Sequence, residues 1–172
     1  PVNINRFAWN NPRDDFYLSV CRLVPNKRVD LLVRAFNRLK LPLIIVGDGA
    51  EKAYLKDLAG PTVQILGFQS REKIENLMSK CRAFVYAGIE DFGIAPVEAM
   101  AAGSPGIALG QGGLLDTVRC ASKGLDGATG LLFPEQTVNC LIEAVEWFED
   151  KKIWVQLDSE VLNSWANRFN PQ

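Results

Sequence analysis

Short apolar segments alternate with longer amphipathic ones along the chain. FYLSV (16–20), PLIIV (42–46) and AFVYA (83–87) are almost wholly apolar, and their length favours buried strands. VDLLVRAFNRL (29–39) carries apolar residues at 29, 32, 33, 36 and 39, which is the spacing of an amphipathic helix. Buried strands that alternate with helices predict an α/β fold, a doubly wound parallel sheet with helices on both faces.

The same alternation continues to the end of the chain. Further strands are predicted at 63–66, 105–109 and 131–133, and further helices at 51–59, 70–81, 95–102, 114–118 and 137–150. We therefore predict three parts: an Asn- and Pro-rich lead-in or linker at 1–14, a Rossmann-like domain at 15–150, and a C-terminal helical tail at 151–172.

Composition excludes several kinds of function. The chain has 19 Lys plus Arg and 20 Asp plus Glu, so it lacks the basic excess of a general nucleic-acid binder. It contains no histidine, which excludes Ser-His-Asp and Cys-His catalysis and removes the commonest metal ligand. Its four cysteines form no CxxC pair, so we expect reduced thiols and no zinc site.

The sequence predicts a cytoplasmic protein. No apolar run approaches the roughly 20 residues of a membrane span, and no signal peptide opens the chain. Peripheral contact with the inner face of the cell membrane stays open as an alternative, although no basic amphipathic stretch is present. Because the chain begins with Pro1 rather than Met, we expect it to be part of a longer protein.

Ligands of doubly wound sheets bind at the carboxyl ends of the strands, so the residues that follow each strand deserve scrutiny. The first strand is followed by Cys21, Arg22 and Leu23 without any glycine, and GDGAEK after the second lacks the third glycine of a dinucleotide fingerprint. The NAD fingerprint and the P-loop both fail. GQGG (110–113) fits either a tight turn or a site with room for a ligand.

Arg22 and Lys27 lie between the first strand and its helix. Two basic side chains at a strand exit and a helix N-terminus can form an anion pocket, but basic residues in a turn are also commonly solvated. The sequence leaves both interpretations open.

Two glutamates flank a glycine and a proline in EDFGIAPVEAM (90–100). Pro96 predicts a helix start, with Glu98 in the first turn where a carboxylate favours the positive end of the helix dipole. Helix capping does not explain Glu90, and carboxylates are natural acceptors for paired sugar hydroxyls. The stretch therefore predicts either helix punctuation or a site for a polyhydroxylated ligand.

Four motifs in order resemble one family: Arg22-x4-Lys27, VGDG (46–49), Glu90-x7-Glu98 and Gly112-Gly113. Over residues 16–149 the chain resembles the C-terminal domain of family 4 (group 1) retaining glycosyltransferases with the GT-B fold. Within this family, its sequence is most similar to that of mannosyltransferases of polysaccharide assembly. The resemblance implies that residues 15–150 bind a nucleotide sugar and that a hexose, with mannose the first candidate, passes to a glycan or lipid-linked acceptor.

The resemblance also implies residue roles. Arg22 and Lys27 would bind the donor diphosphate and stabilise charge on the leaving group, as catalytic residues together with Glu90. Glu90 would contact the donor sugar near its 3-hydroxyl, and Glu98 would hold the ribose hydroxyls. The backbone would supply the remaining donor contacts, at Phe92, Gly93 and Ile94 for sugar or phosphate oxygens and at Gly67, Phe68 and Gln69 for the base.

The implied substrates are a nucleotide diphosphate sugar, GDP-mannose or a UDP-sugar, with no cofactor and no bound metal. The acceptor would be bound through an N-terminal domain outside this chain, so we expect the isolated chain to be inactive. Two departures from the family pattern are Gly106, which weakens a strand, and a longer loop at 120–130.

Two rival hypotheses remain for this fold. One is a non-catalytic module that binds a nucleotide sugar or a partner. The other is a flavodoxin-like regulatory domain, which would carry an acidic cluster after the first strand where Arg22 stands instead.

Overall fold

The computed structural model describes residues 7–90 and 92–169. In this part of the chain, six strands form one parallel sheet in the order β3-β2-β1-β4-β5-β6. The strands are β1 Tyr17–Val20, β2 Leu43–Val46, β3 Val63–Gly67, β4 Ala83–Tyr86, β5 Gly106–Leu109 and β6 Gly130–Phe133. The predicted doubly wound α/β fold is confirmed.

The helices follow the predicted order. They are α1 Val29–Leu39, α2 Lys52–Leu58, α3 Arg71–Lys80, α4 Ile94–Ala101, α5 Leu114–Thr117, α6 Val138–Asp150, α7 Ile153–Gln156 and α8 Ser159–Ala166. Helices α1, α2 and α6 pack together, as do α3, α4 and α8, so the two groups cover opposite faces of the sheet. The five strands other than β3 are thus largely screened from water, which explains their mostly apolar sequences, whereas the edge strand β3 exposes Gln64.

The strand order creates a switch point beside β1. The chain steps outward from β1 to β2 and β3, and then returns to place β4 on the other side of β1. The register pairs Tyr17 with both Leu43 and Ala83, so β1 is central to the sheet. The loops after β1 and β4 therefore diverge and leave a crevice at the carboxyl end of the sheet.

The described part of the lead-in, residues 7–14, packs on the domain. Phe7 is buried, and the guanidinium of Arg13 donates to the carbonyl oxygens of Met78, Cys81 and Ala102 at 3.2–3.3 Å. Residues 1–6 of the predicted lead-in and 170–172 of the predicted tail lie outside the described residues.

The tail forms short helices rather than one long one. Helix α7 is four residues long, and α8 starts anew at an N-cap where the Asp158 side chain accepts from the Glu160 amide. Trp165 donates its indole N–H to the Thr117 carbonyl at 2.8 Å, which ties the tail to the domain.

Candidate functional site

The loops after β1 and β4 bring the three residues predicted to be catalytic to one place. Arg22 follows β1, and Lys27 ends a 3₁₀ turn, Pro25–Lys27, just before α1. Glu90 follows β4 across the switch point. Residues 63 positions apart in the chain thus meet at the carboxyl end of the sheet.

Lys27 and Glu90 form an ion pair. The Lys27 ammonium donates to Oε1 of Glu90, and the two side chains are 19% and 27% exposed. Burial raises the pKa of Glu90, but the hydrogen bonds from Lys27 and Tyr86 and the charge of Lys27 outweigh it. The pKa of Glu90 therefore lies below its ordinary value, and the residue is a carboxylate at neutral pH.

Tyr86 is the second donor to Glu90, and the sequence analysis missed it. It is the last residue of β4, and its hydroxyl donates to the same Oε1 that accepts from Lys27. In the sequence Tyr86 belongs to the predicted apolar strand AFVYA (83–87), and the apolar pattern of that strand does not indicate a polar role. Its place at the strand end, four residues before Glu90, was the available signal.

A cavity of about 350 Å³ opens around the ion pair. Cys21 also contributes to its lining, where burial raises the pKa of the thiol to about 11, so the thiol stays protonated and is no nucleophile. The predicted site residues that line this cavity are Arg22, Lys27, Glu90, Phe92, Gly93 and Ile94. The structure thus brings together six residues that the sequence assigned to one donor site.

A second cavity of about 340 Å³ adjoins the first. Phe68, Gln69 and Glu98 line it, and it shares Val20 and Ala95 with the first cavity. Gly67 ends β3 directly before Phe68 and is not part of either lining. The two glutamates thus face neighbouring compartments of one crevice.

The expected place of Glu98 in the first helical turn is wrong. Gly93, with φ of 79°, is the N-cap of α4, so the helix begins at Ile94 and Glu98 is its fifth residue. The dipole interaction falls off beyond the first turn and does not account for a carboxylate in the second. Glu98 instead lies in the lining of the second cavity, beside Gln69.

The GQGG loop positions Glu90. The amide of Gly113 donates to the Glu90 carbonyl at 2.7 Å, and a Cβ at Gly112 would lie 2.5 Å from that oxygen. Gly112 also has φ of 66°, which disfavours any residue with a side chain. The glycines thus provide the close backbone approach that holds the loop after β4.

Gly47 of the VGDG motif has a similar role at β1. A Cβ there would lie 1.8 Å from the Cys21 carbonyl oxygen. This glycine lets the loop after β2 pack against the strand exit that carries Arg22. The motif therefore shapes the crevice through its backbone.

Chemically, the crevice combines anion-binding and hydroxyl-binding groups. Arg22 and Lys27 can bind phosphate oxygens, and Glu90 and Glu98 can accept hydrogen bonds from hydroxyls. Across residues 7–90 and 92–169, no group of three or more Cys, Asp or Glu side chains could hold a metal ion. In the same residues, no helix is long and apolar enough to cross a bilayer.

A parallel sheet with a crevice at its switch point defines a doubly wound α/β domain, in which ligands bind at the carboxyl ends of the strands. The family model described as "Glycosyl transferases group 1" matches residues 2–166, and the chain belongs to this family. The expected resemblance to group 1 glycosyltransferases is therefore confirmed, as is the Rossmann-like fold of GT-B enzymes.

Individual relatives agree with this assignment. An uncharacterized glycosyltransferase of Methanocaldococcus jannaschii is 30% identical over 148 residues, which cover 83% of this chain and 40% of the relative. A GDP-mannose-dependent alpha-mannosyltransferase of Mycobacterium tuberculosis is 34% identical over 145 residues, which cover 77% of this chain and 36% of the relative.

A solved structure shares the fold. The Anabaena protein HepE in complex with UDP-glucose superimposes with a TM-score of 0.75 and 26% identity, over 91% of this chain and 45% of the other. This chain thus spans less than half the length of each of these three proteins.

Proposed function

We propose that the chain is the donor-binding part of a retaining glycosyltransferase that transfers a hexose from a nucleotide diphosphate sugar. The observation that carries this proposal is the convergence of Arg22, Lys27 and Glu90 in one crevice at the switch point. Membership of the group 1 family supports the transferase activity.

The two basic residues would act on the leaving group. As the bond to the sugar breaks, negative charge grows on the diphosphate, and Arg22 and Lys27 stabilise it electrostatically. In this proposal the two cations take the part that a divalent metal plays in other transferases, so no bound metal is required. In the structure, Lys27 is paired with Glu90.

The two carboxylates would recognise hydroxyl groups in neighbouring compartments. Glu90 accepts from the donor sugar beside the diphosphate, and Glu98 accepts from the ribose in the second cavity. Phe92, Gly93 and Ile94 line the first cavity at the start of α4, and their amides would supply donors to sugar or phosphate oxygens. The base then lies near Gly67, Phe68 and Gln69.

Mannose from GDP-mannose is our first candidate for the donor, since the relative from Mycobacterium tuberculosis depends on GDP-mannose. UDP-glucose is the second, since HepE is seen in complex with it. The acceptor, a glycan or a lipid-linked sugar, would bind mainly to a domain outside these residues. We therefore expect the 172 residues alone to bind donor without transferring sugar.

Free thiols support a cytoplasmic location for this reaction. All four cysteines are unpaired by disulfides, and Cys81 is buried with its pKa raised by burial to about 11. Peripheral contact with the membrane would then depend on the acceptor.

Calorimetric titration with UDP, GDP, UDP-glucose and GDP-mannose tests the proposal. We expect one nucleoside diphosphate and its sugar to bind, and Lys27→Ala and Glu98→Ala each to weaken nucleotide binding roughly tenfold or more, because each removes a charged hydrogen-bond partner. Lys56→Ala and Glu146→Ala are matched controls, since both residues are exposed on α2 and α6. A wild-type protein that binds none of the four compounds contradicts the donor site, and unchanged affinity in both site variants contradicts the residue assignment.

A further inference from the structure

Glu90 accepts hydrogen bonds from two side chains that differ in flexibility. Lys27 and Tyr86 both donate to Oε1, one from the loop before α1 and the other from the end of β4. Lysine carries its ammonium on a flexible four-carbon stem, whereas a tyrosine hydroxyl sits on a rigid ring. The two contacts therefore respond differently when a ligand enters the crevice.

The Tyr86 ring is fixed by its surroundings. Tyr86 is 4% exposed, and its neighbours in β4 are buried as well. A Cβ at Gly88 would lie 3.2 Å from the Tyr86 ring and hydroxyl and 3.3 Å from the Lys27 Cα, so the loop after β4 packs closely over both residues. The hydroxyl thus has little freedom to leave Glu90.

Donor binding places competing demands on Lys27. An entering diphosphate carries several anionic oxygens, and Lys27, like Arg22, lines the cavity with a cation that can turn toward them. Once it does so, Glu90 loses its ionic partner at the moment when it is required to accept from the sugar. A second hydrogen-bond donor that does not move would then keep the Glu90 carboxylate in place.

The Tyr86 hydroxyl is suited to this part at every relevant pH. Burial raises its pKa, and the hydrogen bond to the Glu90 carboxylate and the charge of that group raise it further. The phenol consequently remains protonated and available as a donor throughout the physiological range.

We propose that Tyr86 is a positioning residue, which anchors Glu90 for recognition of the donor sugar while Lys27 turns to the diphosphate. This inference rests on the proposed function, because it takes Glu90 as the group that contacts the sugar. It separates two tasks in one crevice: Lys27 binds the anion that every nucleoside diphosphate shares, and the Tyr86–Glu90 pair recognises the sugar.

Tyr86→Phe tests the separation, because it removes one oxygen and keeps the ring. Affinities for UDP, GDP, UDP-glucose and GDP-mannose are measured by calorimetry on wild type and variant. For the nucleotide that the wild type binds, we expect the affinity for the diphosphate to stay within about twofold and the affinity for its sugar to fall roughly five- to tenfold, since a hydrogen bond to a charged group is lost. Equal losses for both ligands, or no loss for either, overturn the positioning role.

Tyr17→Phe is the matched control. Tyr17 is a buried tyrosine at the start of the neighbouring strand, paired in register with Ala83 at the far end of β4 from Tyr86. We expect this variant to bind both ligands as the wild type does. Tyr86→Leu, which also lacks the hydroxyl, should reproduce the selective loss and provides a second variant for the same test.

A double-mutant cycle separates action through Glu90 from direct contact with the ligand. If Tyr86 acts only by holding Glu90, Tyr86→Phe adds less than about twofold to the effect of Glu90→Gln. Additive losses overturn the inference. Failure of the donor site looks different: the wild type then binds none of the four compounds, and both proposals fall together.

Discussion

Each end of the sheet carries a basic side chain paired with a glutamate beside a tyrosine. At the amino end, Arg82 donates to both carboxylate oxygens of Glu149 at 3.1 Å, and Trp154 of α7 stacks under the guanidinium at 4.1 Å. At the carboxyl end, Lys27 pairs with Glu90 in an open cavity. The two pairs are about equally exposed, at 18% and 22% for Arg82 and Glu149 and at 19% and 27% for Lys27 and Glu90. They differ in their surroundings, because a tail helix packs against the first pair and a cavity opens beside the second.

The amino end is built for stability. Phe148 contacts Tyr17 and Trp154 with ring centroids 6.1 and 5.5 Å apart, and Tyr17 contacts Phe36 at 5.2 Å. By contrast, the Phe68 ring at the carboxyl end is 81% exposed. Tyr17, Phe148 and Trp154 therefore form core contacts at the amino end, whereas Phe68 presents an exposed ring beside the second cavity at the carboxyl end.

The largest expected effect is that of Phe148→Ala, which leaves a cavity where Phe148 is fully buried. We expect the free energy of unfolding to fall by about 4 kcal/mol, as measured by urea denaturation. Phe68→Ala is the contrasting variant and should change stability by less than about 0.5 kcal/mol. Similar losses in the two variants would erase the distinction between the ends.

Arg82→Met should have the next largest effect. It leaves Glu149 without its partner in a mostly buried place and removes the contact with Trp154, at a cost of about 2 kcal/mol in unfolding free energy. Lys27→Met, by comparison, should cost less than about 1 kcal/mol, because Tyr86 still donates to the remaining carboxylate and no contact with an aromatic ring is lost. Urea denaturation of both variants in one buffer compares the two ion pairs. A greater loss of unfolding free energy in Lys27→Met than in Arg82→Met would contradict the view that the amino-end pair contributes more to stability.

The smallest effect expected is the pH dependence of Glu90→Gln. The pKa of Glu90 is lowered in the folded protein from its ordinary value of 4.5, so its ionised form stabilises the fold above that pH. This contribution is lost as the pH falls through the lowered pKa. The variant should therefore be about 0.5 kcal/mol less stable than wild type at pH 7.

The difference in stability between wild type and Glu90→Gln should shrink as the pH falls below 4.5. The ionisable groups around Glu90 are Lys27, Tyr86, Cys21 and Arg22. Thermal unfolding across pH 3–7 measures this difference. A gap that widens toward low pH would mean that the sign of the pKa shift is wrong.

Much of the fold follows from local pattern. The predicted helix at 29–39 coincides with α1, and Ser70 caps α3 by accepting from the Lys73 amide as its residue type predicts. These features depend on burial and capping within a few residues, which the sequence displays directly. The predicted domain limits at 14 and 150 stay predictions.

Contacts between distant loops could not be predicted from periodicity. The strand pattern indicates a parallel sheet but not its order, and the order is what brings Lys27 to Glu90. The family resemblance placed both residues near one donor, but it did not predict that they pair with each other or that Tyr86 joins them. Glu98 falls in the second turn rather than the first because a left-handed glycine at 93 starts α4 at Ile94, one residue before the predicted start at 95.

The central position of β1 has a consequence for how binding competence arises during folding. The first three strands can pair through successive local crossovers, but Lys27 meets Glu90 only after β4 has closed a loop of more than 60 residues onto β1. We expect ligand binding to appear late in refolding, in step with that closure and after most of the helical signal. A nascent chain that ends before β4 would then carry Arg22 and Lys27 without Glu90 or the start of α4, and should show no affinity for nucleotide.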